Sequence, residues 1–193
     1  MNLTVKLACL VIAALGIASH PAGDKPIDSE HSTITVHVGK AGVLSAAAHD
    51  HWVSAPISEG VLNNSDRPHV EFHVDAAKMQ VKPDPKVDAK TQAEIQKNMQ
   101  ETVLESAKYP EIAFHSSHLE KQADGQWKVE GTLTLHGATK PLVVMVKQTG
   151  GIYVGQTTIM QTDFGIKPIR VGGGMVKVKN ELEIAFRIVA RQE

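Results

Sequence analysis

The sequence predicts an all-β protein: an eight-stranded antiparallel β-barrel with one inserted α-helix. Three observations carry that reading. Segments in which polar and apolar residues alternate recur along the chain, each with one dry and one wet face. Turn-forming clusters separate them, such as Asn63-Asn64-Ser65-Asp66, Ala123-Asp124-Gly125, Gly150-Gly151 and Gly172-Gly173-Gly174. A single segment, residues 88–106, abandons the two-residue rhythm for a helical one. A sheet of about eight antiparallel strands exposes unpaired edges, and closure into an up-and-down barrel removes them.

Residues 1–19 hold one charge, Lys6, followed by the apolar run 7–17 and the small residues Ala18 and Ser19, the pattern of a secretory signal peptide. The run ends at His20-Pro21 and Asp24-Lys25-Pro26, well short of the about 20 apolar residues that span a bilayer. The expected organisation is therefore a signal peptide, residues 1–19, and one domain, residues 20–193, exported to the periplasm. Cleavage would remove Cys9, the single cysteine, leaving the domain to be held by its core alone.

The first strand is Ser32-Thr33-Ile34-Thr35-Val36-His37-Val38, with Ile34, Val36 and Val38 on one face. Residues 42–62 read as two short strands bent at Pro56. His69-Val70-Glu71-Phe72-His73-Val74-Asp75 repeats the alternation, as do residues 111–119, 127–136 and 176–188; residues 142–146 and 152–160 are β-rich and partly apolar on both faces. Between them, Asp88 is a candidate N-cap with Pro83 and Pro85 ahead of it. Ile95, Met99 and Val103 then recur at i, i+4 and i+8, so the helix presents an apolar stripe. That stripe is expected to cover one barrel mouth as a lid, because long insertions in compact barrels tend to be functional.

The chain carries 20 Lys+Arg, scattered, against 21 Asp+Glu, which excludes a basic footprint for nucleic acid. Aromatic residues are only 4%, so the inward face is mostly Val, Ile, Leu and small residues. An eight-stranded barrel so lined is either filled by its side chains or holds one small ligand. On the apolar phase of the strands, Val70, Phe72, Val74, Ile112, Phe114, Val129, Leu133, Leu135, Ile184 and Phe186 are the candidate lining. Among ten histidines, His49-Asp50-His51 is the densest cluster; His at i and i+2 on a strand share a face, so these three are the candidate metal ligands of an alternative, metal-binding reading. His37, His73, His115 and His136 fall on polar phases and are expected to face solvent. No nucleophile elbow or His-Glu-x-x-His pattern is present, and the chain is read as non-enzymatic and without a cofactor.

Two segments carry a resemblance. Tyr109-Pro110-Glu111-Ile112-Ala113-Phe114-His115-Ser116 and Gly131-Thr132-Leu133-Thr134-Leu135-His136-Gly137-Ala138-Thr139-Lys140-Pro141 are similar to paired strands of the YceI-like family. Thr162-Asp163-Phe164-Gly165-Ile166 resembles that family's signature after the penultimate strand, and His31-Ser32-x-Ile34-x-Val36 its opening strand. The order is the family's across about residues 28–190, with departures at residues 95–105 and 48–51 that mark a divergent branch. The resemblance implies a lipocalin-like barrel exported to the periplasm, holding an isoprenoid chain such as a polyprenyl lipid or quinone. Transient membrane contact is a further expected partnership. Within the Thr162–Ile166 turn, Phe164 is expected to close the barrel end, Asp163 to bond backbone N–H groups and Gly165 to supply a positive φ.

Overall fold

The computed structural model describes residues 23–42, 49–65 and 67–191. Residues 1–19, which the sequence reads as a signal peptide, lie outside them. Its strands are β1 (Lys25–Pro26), β2 (Thr33–Ala41), β3 (His51–Ser54), β4 (Ile57–Asn63), β5 (His69–Asp75), β6 (Gln80–Val81), β7 (Glu111–Lys121), β8 (Trp127–Leu135), β9 (Ala138–Thr149), β10 (Ile152–Met160), β11 (Arg170–Val171) and β12 (Val176–Val189), with one α-helix, α1 (Ala89–Asn98). All belong to one curled antiparallel sheet in the order β1-β4-β5-β7-β8-β9-β10-β12-β2-β3-β6, with β11 paired to β12.

Among the described residues the sheet has twelve strands where the alternation suggested about eight. Three that it missed are short: β1, β6 and β11 have two residues each. A two-residue strand has no period to read, and only tertiary pairing defines it. The proposed bend at Pro56 separates β3, which pairs with β2, from β4, which pairs with β5. Register shifts between Ile57 and Glu59, Ser116 and His118, and Val178 and Leu182 add residues to one strand of a pair and curl the sheet.

Closure is made by β1. It pairs with β4 (Lys25 opposite Leu62), while Asp28 N–H donates to Val189 O and Arg191 N–H to Pro26 O, each at 2.8 Å. Around that end β1, β4, β5, β7, β8, β9, β10 and β12 form a ring. At the other end β2 continues into β3 and β6, and α1 lies against β6. Every long strand turns its apolar phase inward, so a single buried cluster runs from Ile27 and Ile34 through Phe114 and Leu133 to Ile188.

Candidate functional site: an apolar cavity and its lid

The inward side chains leave a cavity of about 200 Å³ lined almost wholly by apolar groups. Val70, Phe72 and Val74 reach it from β5, Ile112 and Phe114 from β7, Val129, Leu133 and Leu135 from β8, and Ile184 and Phe186 from β12. Pairing aligns them in rows: Phe72 lies opposite Phe114, which lies opposite Leu133, and the two rings stack with centroids 5.6 Å apart. Glycines set how flat the rings lie. A Cβ on Gly131 would stand 2.7 Å from Phe114 Cζ, and one on Gly155 would collide with Phe186 Cζ. Each ring therefore rests on a bare strand backbone and leaves the centre of the barrel open.

The helical segment begins where the sequence placed it. Asp88 accepts from the backbone N–H of Lys90 and Thr91 at 3.0 Å and caps α1. The α-helix ends sooner than the expected residue 106, at Asn98, and passes into a wider π-helical turn, Met99–Val103, in which Leu104 N–H donates to Met99 O at 2.9 Å. A turn holding one extra residue brings Leu104 back beneath Met99. Leu104 is consequently buried and lines the cavity together with Val103, while Ile95 and Met99 pack half-buried against the core above it.

Two glutamines fasten this helical segment to the chain at the open edge of the sheet. Gln96 Oε1 accepts from Val81 N–H at 2.8 Å and its Nε2 donates to Met79 O at 2.9 Å; Gln100 Nε2 donates to Ala76 O and Met79 O at 3.0 Å. The helix thus takes the place of a neighbouring strand along β6, protecting an edge that would otherwise stand unpaired. Gln96→Ala should strand the Val81 N–H, while Met79 O keeps its Gln100 donor, and cost about 1–3 kcal/mol, measured by urea unfolding, with the amides of the helical segment the first to lose hydrogen-exchange protection.

The helical segment runs out against the far turns of the barrel. Gln161–Phe164 is a 3₁₀ turn ended by Gly165 at φ 73°, and Phe164 is 3% exposed. Asn180, not Asp163, ties the turn down: its Oδ1 accepts from Thr162 N–H at 3.0 Å and its Nδ2 donates to Thr162 Oγ1 at 2.9 Å, whereas Asp163 is exposed. Beside it stands His136, expected to be solvent-facing and in fact only 10% exposed at its side chain. Its Nε2 is 2.7 Å from Glu105 Oε2, its Nδ1 3.2 Å from Phe164 O, and the Tyr109 ring lies 4.2 Å away. The residue falls just after β8, at φ 51°, so the turn carries it off the strand's polar phase and inward.

The chain matches the YceI-like domain over residues 26–190, which is nearly everything the structure describes. It belongs to that family. A UPF0312 protein of Shewanella sp. strain MR-4 is 28% identical over 159 residues, covering 76% of this chain and 78% of its own. One from Pseudomonas savastanoi pv. phaseolicola is 33% identical over 99 residues, 46% of this chain and 50% of its own. Among solved structures, Burkholderia cenocepacia BcnA superposes with a TM-score of 0.60 at 17% identity, over 86% of this chain and 99% of that one. A polyisoprenoid binding domain from Saccharophagus degradans gives 0.57 at 12% identity, over 88% and 99%. At these identities the likeness is one of fold.

Within this YceI-like barrel, His49 and Asp50 turn to different partners. His49 Nδ1 is 3.5 Å from Asp84 Oδ2, while Asp50 lies 3.2 Å from His37 Nε2 and accepts from Lys40 N–H at 3.1 Å. Burial opposes ionisation of Asp50, but the His37 and Lys40 hydrogen bonds outweigh it and hold its carboxyl below the usual range. Burial, then the neighbouring His49, lowers the pKa of His51. Among the described residues no group of three or more His, Cys, Asp or Glu is placed to share a metal ion. Trp52 stacks on His37 with ring centroids 4.5 Å apart, so His37 is shielded rather than fully solvated.

Proposed function

We propose that this chain is an exported carrier or sequestering protein that holds an isoprenoid chain, such as a polyprenyl lipid or quinone tail, inside the barrel. The observation that carries the reading is the cavity of about 200 Å³, roofed by Val103 and Leu104. It exceeds the ~150 Å³ apolar cavities that stay dry and take up benzene. A void of that size costs a fold about 5 kcal/mol at ~24 cal/mol per Å³, and an apolar occupant recovers part of it. Each buried methylene contributes about 0.8 kcal/mol, so some ten buried carbons give roughly 8 kcal/mol before ordering costs, near micromolar affinity. The name of the Saccharophagus degradans domain supports the choice of ligand class. Export rests on the composition of residues 1–19.

The test is organic extraction of protein purified from its native host, followed by mass spectrometry. A co-purifying compound with a five-carbon repeat is the expected result, together with a lower melting temperature after extraction. Finding no lipid, and no uptake of a fluorescent isoprenoid analogue, would remove the reading. Export is checked separately by the N-terminal mass of the protein recovered from the cell envelope, which should lack about the first 19 residues.

A further inference from the structure

We infer that Glu105 and His136 form a proton-dependent latch that holds the lid shut over the cavity. The inference rests on the carrier reading for its purpose, though not for its mechanism. Glu105 comes directly after the π-helical turn and its cap, which bring Val103 and Leu104 to the cavity, and His136 follows Leu135, which lines the same space. The contact between them is the polar join between lid and barrel at this end.

Three independent features mark it out. Glu105 and His136 are the only non-glycine residues with positive φ among the described residues, at 44° and 51°, and they are each other's partners. Left-handed backbone at such residues carries a conformational cost that surrounding contacts must hold in place. The His136 ring is enclosed by the Tyr109 ring and by Phe164 O. Gly137 admits Tyr109 so closely that a Cβ there would stand 2.7 Å from Tyr109 Cε1. Finally, both ring nitrogens of His136 face atoms that can only accept when Glu105 is ionised: Glu105 Oε2 and the Phe164 carbonyl.

That last feature gives the proton dependence. A neutral imidazole has one N–H, and with an ionised Glu105 it can satisfy only one of these two acceptors. Both are satisfied when the pair carries one further proton, whether the ring is an imidazolium or the carboxyl is protonated. The latch is therefore complete at low pH; when that proton leaves, the remaining N–H goes either to Phe164 O, which frees Glu105, or to Glu105, which replaces the ion pair by a bond from a neutral ring and turns the Nδ1 lone pair against Phe164 O, and either way the join is weaker. The charged groups around it are Glu105 itself and Lys108, whose ammonium lies 4.7 Å from the centre of the Tyr109 ring and is favoured by Tyr109 and then Glu105. From the barrel side, the 161–164 turn presents a carbonyl and Gly165, and the β8–β9 turn presents Gly137.

Two readouts on the full chain test this between about pH 5 and about pH 8, the span in which histidines change charge. One is hydrogen exchange of the amides of residues 99–109, corrected for the intrinsic rate and measured without ligand. The other is the dissociation rate of N-phenylnaphthylamine. Protection should fall and dissociation quicken about tenfold towards the higher pH, the ratio a charge-assisted hydrogen bond supports. Glu105→Gln should stay latched at both ends of the range, because a glutamine amide donates to the Nε2 of a neutral His136 whose Nδ1–H meets Phe164 O. His136→Asn, which keeps a residue tolerant of positive φ, should be unlatched throughout, with thermal melting to show that it folds. Exchange and dissociation that do not change with pH in the parent, or that change equally in Glu105→Gln, overturn the latch. Exchange that responds while neither the dye nor a fluorescent isoprenoid analogue binds, and no lipid co-purifies, sustains the latch and overturns the carrier reading.

Discussion

Phe164→Ala is expected to lower the unfolding free energy by about 3–5 kcal/mol, the range for truncating a buried aromatic side chain. The ring is 3% exposed and sits in the main core cluster, next to Ile166, which is equally enclosed. Little around it can collapse inward. Gly165 N–H and Ile166 N–H both return to carbonyls of the 3₁₀ turn, so the backbone beneath the ring is held in place and the cavity would persist. Urea unfolding followed by circular dichroism checks the value, with an unchanged m showing that the denatured state is not what moved. A variant of full stability that had lost ligand retention would instead assign Phe164 to the binding site.

Gly131→Ala is expected to cost about 3 kcal/mol or more, a large effect for a single methyl group and at the upper end of overpacking penalties. The added Cβ would collide with His115 O and stand 2.9 Å from Ser116 Cα, both of them backbone atoms of the paired strand. Neither can swing aside as a side chain could. The third neighbour is Phe114 Cζ at 2.7 Å, and its displacement would push the ring into the cavity. Two measurements should therefore move together: a lower urea midpoint, and a smaller amount of apolar dye bound per folded molecule. Loss of stability with undiminished binding would show that the ring does not govern the interior volume.

The strand phases were legible because each long strand has one wet and one dry side: the alternation at 69–75 and 127–135 names the residues that face the cavity. Asp88 was legible as a cap because its chemistry is local. What escaped was whatever depends on residues distant in sequence. β6 is two residues whose pairing is to β3 and to the Gln96 side chain of the helix, and neither partner is visible in Gln80-Val81. The π-helical turn is set by where the lid meets the barrel, so a regular helical spacing could suggest Ile95, Met99 and Val103 but not the inward rotation of Leu104. His136 sits on the polar phase by count, yet a left-handed turn redirects it. A polar residue between Leu135 and a Gly was the one available signal, and it reads equally as an ordinary turn. The sequence likewise left a hollow barrel and a filled one equally open, because lining residues have the same identity in both.

The wiring of the ring has a kinetic consequence. β1 is among the first elements of the domain and β12 is the last, and the closing contacts include Val189 N–H to Ser32 Oγ, 157 residues apart in the chain. Neighbouring strands such as β4 and β5, or β7 through β10, meet by short connections and can pair early, whereas the join between β1 and β12 must wait for nearly the whole polypeptide. Long-range antiparallel pairing of this sort places folding in the millisecond-to-second range rather than the microsecond range of helical bundles. Until β12 docks, the apolar faces of the sheet stay in contact with water and are open to association with other chains. Synthesis of the domain therefore ends before its interior exists, and a chain stopped short of residue 186 would have strands and hairpins but no inside.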